Sequence, residues 1–193
     1  QTMLFGLENF FLELVKFYKK DNFPNKLLIS GQKGLGKSTL AYHFINYVLS
    51  KDEEFSYDVN NFQISPENHS FKTINNKSNP NFILIDVNSE KKNIEISQIR
   101  DLITNLTKSS FNHMPRFILI NNIEFLNNNA INALLKILEE PNFNIYFILI
   151  NNNKKVLPTL KSRCLDFKVF LTNEKSIYII NQLVEDDIQN IIS

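Results

Sequence analysis

The chain has 193 residues, 43% of them hydrophobic, and a formal net charge of +1, enough apolar material for one globular domain and the start of a second, which excludes a disordered tail. So small a charge gives no global pull towards nucleic acid or an anionic membrane surface, and any contact with DNA has to be local or made through partners. The one cysteine, Cys164, excludes an intrachain disulfide and a cysteine-rich zinc site, and no apolar run approaches the roughly 18 residues of a membrane span.

Gln1 to Phe5 lack the basic start and apolar run of a signal peptide, so a reducing, cytoplasmic compartment is the expectation. Leu7, Phe10, Phe11, Leu14, Val15 and Tyr18 then recur at helical spacing over 7–19, ahead of a break at 21–24. A strand is predicted over 26–30 and a helix over 37–49. The stretch 51–80 is polar and turn-rich, with Pro66 and Pro80 as breakers, and its pattern yields no regular element. A strand over 82–85, a helix over 96–106 and a strand over 117–120 follow. Residues 127–138 read as a helix stopped by Pro141, 146–150 as a strand, 157–162 as a turn of helix and 165–170 as a last strand. Thr172 has the character of an N-cap for a helix to about Val184, with a short amphipathic piece to Ile192. Helices alternating with short, continuously apolar strands predict the α/β class: a five-stranded parallel sheet flanked by helices over 1–170, then the start of a helical domain over 171–193.

Only 4 residues are glycine, and three of them, Gly31, Gly34 and Gly36, fall within six positions. The run Gly31-Gln32-Lys33-Gly34-Leu35-Gly36-Lys37-Ser38 fits G-x-x-x-x-G-K-[ST] and sits between an apolar strand and a helix, where a phosphate-binding loop must sit. Glycines let successive N–H groups turn inward, the helix start adds partial positive charge, Lys37 reaches the outer phosphates and Ser38 would ligate Mg²⁺. Gly31, Gly34, Gly36, Lys37, Ser38 and Thr39 are therefore the candidate ligands of ATP with Mg²⁺. A flexible glycine turn ahead of a helix is the plain alternative.

Hydrolysis of a bound nucleotide also needs an acid at the end of a buried strand, and a group that orients the attacking water. Two strands compete for that place. Phe82-Ile83-Leu84-Ile85 ends in Asp86, whereas Phe117-Ile118-Leu119-Ile120 ends in Asn121 and Asn122. Taken alone, the first has the right form.

The residues after the second strand reverse that choice. Asn132-Ala133-Leu134-Leu135-Lys136-Ile137-Leu138-Glu139-Glu140-Pro141 and, beyond the next strand, Ser162-Arg163-Cys164 closely resemble the clamp-loader branch of the AAA+ ATPases. There an acid-ended strand is followed by N-A-L-L-K-x-L-E-E-P and then by S-R-C. Within that branch Leu4-Phe5-Gly6 and Ile94-Glu95-Ile96-Ser97-Gln98-Ile99-Arg100 are similar to segments of the bacterial DNA polymerase III delta-prime family. The resemblance extends to about Phe170 and implies a P-loop AAA+ domain, the start of a helical lid, and a collar domain that this chain lacks. It puts Asn121 and Asn122 at the acidic positions, and leaves Asp86 on an edge strand with no catalytic role.

An amide at 121 can still accept a hydrogen bond but has lost the charge that holds a metal ion, and Asn122 cannot take a proton near neutral pH. Glu124 lies two residues too far on. Weak or absent hydrolysis by this chain is the expectation. The resemblance further implies that Arg163 acts in trans, as a finger on the γ-phosphate held by a neighbouring gamma/tau subunit; the alternative is a surface arginine paired with Glu139 or Glu140. Asn151 or Asn152, after the next strand, falls where a polar sensor of the γ-phosphate is expected. Cys164 reads as a small packed side chain. Relatives often carry a four-cysteine zinc module at 51–80; with no cysteine there, and His43, His69 and His113 scattered, no zinc is expected.

The resemblance implies gamma/tau and delta subunits, a sliding clamp and primed DNA as partners, with no membrane. Two other readings stay open at this point. One is a hydrolysing gamma/tau-type motor. The other is an unrelated P-loop enzyme that uses Asp86 as its metal-shell acid.

Overall fold

The computed structural model describes residues 2–88, 92–106, 112–140, 143–152 and 155–171. The elements run α1 (Glu8–Lys19), β1 (Lys26–Ser30), α2 (Lys37–Leu49), α3 (His69–Asn75), β2 (Phe82–Ile85), α4 (Ile96–Leu106), β3 (Arg116–Ile120), α5 (Asn128–Glu139), β4 (Ile145–Asn151), α6 (Pro158–Lys161) and β5 (Leu165–Lys168), with a 3₁₀ turn at Ile123–Phe125. All five strands are parallel, in the order β2-β3-β4-β1-β5. The helix proposed from Thr172 lies outside the described residues. Among those described, no helix is long and apolar enough to cross a membrane.

Continuous apolar strands are what a sheet covered on both faces requires, and alternate residues divide between two cores. Leu27, Ile29, Phe117, Leu119, Ile148 and Ile150 face the side carrying α1 and α2. Leu28, Ile118, Ile120, Phe147 and Leu149 face α4 and α5. On the first face aromatic rings dominate: Phe23 stacks on Phe44 at 4.6 Å between centroids and Phe11 on Tyr57 at 4.9 Å. Truncating a buried ring such as Phe44 or Phe117, both 0% exposed, to alanine costs about 3–5 kcal/mol.

The tetrapeptide Phe-Ile-Leu-Ile occurs in β2, β3 and β4. Between β2 and β3 the two copies pair in step, Phe82 with Phe117 through Ile85 with Ile120. β4 is shifted by one, with Ile120 beside Leu149. The residues after these runs, Asp86, Asn121-Asn122 and Asn151-Asn152, are therefore gathered at one edge of the sheet, the C-terminal ends of parallel strands, where α/β folds place their ligands.

Two differences from the sequence expectation have clear causes. Helix α3 lies in the stretch that showed no pattern, because polar groups hold it. Asn68 caps it by accepting from the Phe71 N–H at 2.7 Å, and the Glu53 carboxylate accepts from the His69 and Ser70 N–H groups. β5 ends at Lys168, two residues early, where the chain turns towards the glycine loop and the Val169 N–H bonds to the Ser30 carbonyl at 2.8 Å.

Candidate functional site

The loop between β1 and α2 depends on its glycines. Gly34 and Gly36 have φ of 89° and 74°, in the region that disfavours side chains. At Gly31 a Cβ would lie 2.3 Å from the Val169 carbonyl oxygen, so the backbone after β5 excludes any other residue. Gly36 stands at the start of α2 and supplies no side-chain cap, which leaves the first-turn N–H groups facing the loop without a competing side-chain acceptor. The N-terminal segment closes on the same place: the Leu7 side chain lies 3.1 Å from where a Gly36 Cβ would be.

Lys37 is buried, and its ammonium donates to the carbonyls of Gly31 at 3.0 Å and Gln32 at 2.5 Å. Burial pulls its pKa down, and the Glu124 carboxylate works against that shift. The ammonium is thus folded back over the loop, within reach of an anion seated there. Beside the loop an open cleft of about 960 Å³ is lined by Gln32, Leu35, Leu157, Pro158, Phe170 and several lysines, Lys161 among them. Thr39 lies elsewhere, against a small cavity between α2 and α3.

Ser38 turns the other way, donating from Oγ to Asn121 Oδ1 at 2.8 Å. From there a chain of side-chain bonds crosses the strand ends. Asn121 Nδ2 donates to Asp86 Oδ2 at 2.9 Å and Asn122 Nδ2 to Asp86 Oδ1 at 2.7 Å. Asn152 Nδ2 donates to Asn122 Oδ1 at 2.7 Å, while its backbone N–H reaches Glu124 at 3.2 Å. Asn122 takes a left-handed backbone conformation, φ 54°, which asparagine tolerates better than most residues. Asn151 is buried at the end of β4, beside Ser30 of β1.

The fit to ATP and Mg²⁺ divides. Phosphates suit the open glycine loop, the uncapped helix start and Lys37. Magnesium does not suit what surrounds Ser38: its hydroxyl is given to a neutral amide, and the Asp86 carboxylate lies on the far side of that amide. Among the described residues no group of three His, Cys, Asp or Glu side chains could hold a metal ion.

Arg163 does not join this cluster. Its Nε and Nη2 donate to Glu139 Oε1 at 3.1 and 2.5 Å, and its Nη1 to the Thr159 carbonyl at 2.9 Å. The pairing with Glu139 that the sequence left as the alternative is present in this structure. Cys164 beside it packs against the α4–α5 core, and burial pushes its thiol up to about 11.

The sequence reading weighed Asp86 and set it aside as an edge-strand residue; the structure bonds it to both amides. Its signal was the repeated tetrapeptide: aligning the two Phe-Ile-Leu-Ile runs as parallel neighbours puts residue 86 beside 121. Gln98 was singled out only through a resemblance; it accepts from the Glu95 N–H and donates to the Asp86 carbonyl at 2.9 Å, tying the start of α4 to the end of β2.

Comparison with known proteins gives a consistent family. A family model described as DNA polymerase III, delta subunit, matches residues 6–182. The DNA polymerase III subunit delta' of Buchnera aphidicola subsp. Baizongia pistaciae is 30% identical over 148 residues, 73% of this chain and 42% of that protein. Subunit delta' of Buchnera aphidicola subsp. Schizaphis graminum is 27% identical over 184 residues, 94% of this chain and 54% of that one. Subunit gamma from the same organism is 31% identical over 152 residues, covering 78% and 39%. The chain thus spans about half, or less, of the length of these relatives. Among solved structures, the DNA polymerase III gamma subunit-related protein of Thermotoga maritima superposes with a TM-score of 0.58 at 21% identity, over 83% of this chain and 47% of that one. The DNA clamp loader delta protein of Bacillus subtilis gives 0.51 at 14%, over 86% and 44%. A five-stranded parallel sheet of this order, a glycine loop at the C-terminal edge of its strands and a family match over residues 6–182 lead to one conclusion: the chain belongs to the DNA polymerase III delta-subunit family of clamp-loader components.

Proposed function

We propose that this chain is the AAA+ part of a delta-prime-type clamp-loader subunit, which binds nucleotide at the Gly31–Ser38 loop, turns it over weakly or not at all, and serves the gamma/tau, delta and delta-prime assembly that places a sliding clamp on primed DNA in the cytoplasm. The observation that carries this reading is the state of Asn122. Hydrolysis needs at that position a group basic enough to orient and polarise the attacking water; the Asn122 amide takes no proton near neutral pH, and its orientation is fixed by its bonds to Asp86 and Asn152. Asn121 is likewise held at both ends, and the Ser38 hydroxyl is bonded to its amide oxygen rather than to a carboxylate.

In this reading Arg163 works in the assembly as a finger on nucleotide held by the neighbouring gamma/tau subunit. Its partner Glu139 is more than half exposed, and such pairs contribute only up to about 1 kcal/mol, so exchanging the carboxylate for a more highly charged phosphate is cheap. A hydrolysing gamma-type subunit is the second reading, favoured by the 31% identity to a gamma subunit and by the presence of the Asp86 carboxylate in the site. A loader reconstituted with wild-type, Arg163→Ala or Glu139→Ala chain separates the roles. The finger reading expects a loss of about tenfold or more in DNA-stimulated ATPase with Arg163→Ala and little change with Glu139→Ala. Undiminished ATPase in the Arg163→Ala loader would contradict it.

A further inference from the structure

Of the three Phe-Ile-Leu-Ile strands that end side by side, one ends in an acid, and it is the outer one. The Asp86 carboxylate accepts three hydrogen bonds: from the Val87 N–H at 2.7 Å, from Asn121 Nδ2 and from Asn122 Nδ2. Its backbone carbonyl is fixed by Gln98. A carboxylate can only accept, so it draws the NH₂ end of each amide to itself and turns each Oδ1 outward. Asn121 Oδ1 therefore meets the Ser38 hydroxyl, and Asn122 Oδ1 meets Asn152. Charge-assisted bonds of this kind are among the stronger ones in proteins.

We propose that Asp86 is the displaced carboxylate of this site: a positioning residue that orients the Asn121 amide towards Ser38 and carries, one strand over, the negative charge that position 121 lacks. The proposal rests on the reading of Gly31–Ser38 as a phosphate loop, and it accounts for the poor fit to magnesium. An acid at 121 is tolerated only when residue 86 gives up its own. Asn121→Asp replaces an NH₂ donor by a second acceptor at contact distance from Asp86, leaving two like charges with no proton between them. Adding Asp86→Asn returns an NH₂ donor from the other side and sets the single charge next to Ser38.

The test is a double-mutant cycle in the whole chain with wild type, Asp86→Asn, Asn121→Asp and the double variant. Two quantities are read near neutral pH: the melting temperature without nucleotide, and the affinity for a fluorescent ADP analogue with excess Mg²⁺ or with EDTA. Asn121→Asp is expected to melt about 4 °C or more below wild type, and the double variant to regain at least half of that loss. Where Asn121→Asp fails to fold, recovery of a folded double variant is the same result. Magnesium is expected to leave the wild-type affinity nearly unchanged and to strengthen that of the double variant about tenfold, equivalent to one added favourable charge contact. A merely structural Asp86 would not move that ratio. A double variant no more stable than Asn121→Asp, or one that binds the analogue without gain from Mg²⁺, overturns the proposal. A wild-type chain that binds no analogue would instead remove the phosphate-loop reading, and the melting comparison would still decide on Asp86.

Discussion

Gly31 and Gly34 are the same residue for different reasons. At Gly31 a methyl group would strike the Val169 carbonyl oxygen, which is backbone and cannot swing aside; at Gly34 the space is open and only the left-handed φ objects. Gly31→Ala is accordingly expected to cost about 3 kcal/mol or more and Gly34→Ala about 1 kcal/mol, as urea denaturation of the two variants would measure. Equal costs would mean that the approach of the chain after β5 does not constrain the loop. Cys164 gives a second prediction. With its thiol pushed up to about 11 by burial, the neutral form dominates through the physiological range, and the nucleophilic thiolate becomes abundant only as pH approaches that value. Alkylation of the native chain by iodoacetamide is expected to be slow at pH 8, over tenfold slower than in urea-unfolded chain, and to accelerate as pH rises towards 11; equal native and unfolded rates would contradict the packed state.

Among the elements, the central strands β1, β3 and β4 were readable because each is a short, largely buried apolar run, and the helices α1, α4 and α5 because one face alone is apolar. α3 was not readable because its hold on the domain is polar. Glu53 accepts from His69 N, Ser70 N and Ser70 Oγ, and Asn68, 0% exposed, links the helix start to Asn46 on α2. No periodicity records such bonds, which join residues many positions apart. Glu53→Ala is expected to cost about 1–2 kcal/mol, the scale of a lost helix cap, and hydrogen exchange is expected to speed up over 69–75 while β3 and β4 stay protected. Unchanged exchange at α3 would show that apolar contacts, Ile74 and Phe71 among them, hold it instead.

At the scale of the whole molecule, the doubly covered sheet turns a local sequence feature into a site. The glycine loop and its Lys37 were legible as candidates from spacing, and the amides at 121 and 122 through the clamp-loader resemblance; the parallel register brings them together. What spacing could not supply was the lateral neighbour: Asp86 lies 35 positions from Asn121 in sequence and beside it in the sheet, and the bonds between them decide which way each amide faces. Arg163 was legible both as a residue and, in the plainer of its two readings, by its contact with Glu139, the last residue of α5. In the function proposed above, the Gly31–Ser38 loop binds nucleotide and amides held in place stand where hydrolysis needs acids. Steady-state ATP hydrolysis by the whole chain, compared with Lys37→Ala, tests that claim most directly. The account predicts that the chain binds ATP with Lys37 intact, and that its hydrolysis rate is no higher than that of Lys37→Ala. A sustained ATPase activity of the isolated chain, abolished by Lys37→Ala, would contradict it.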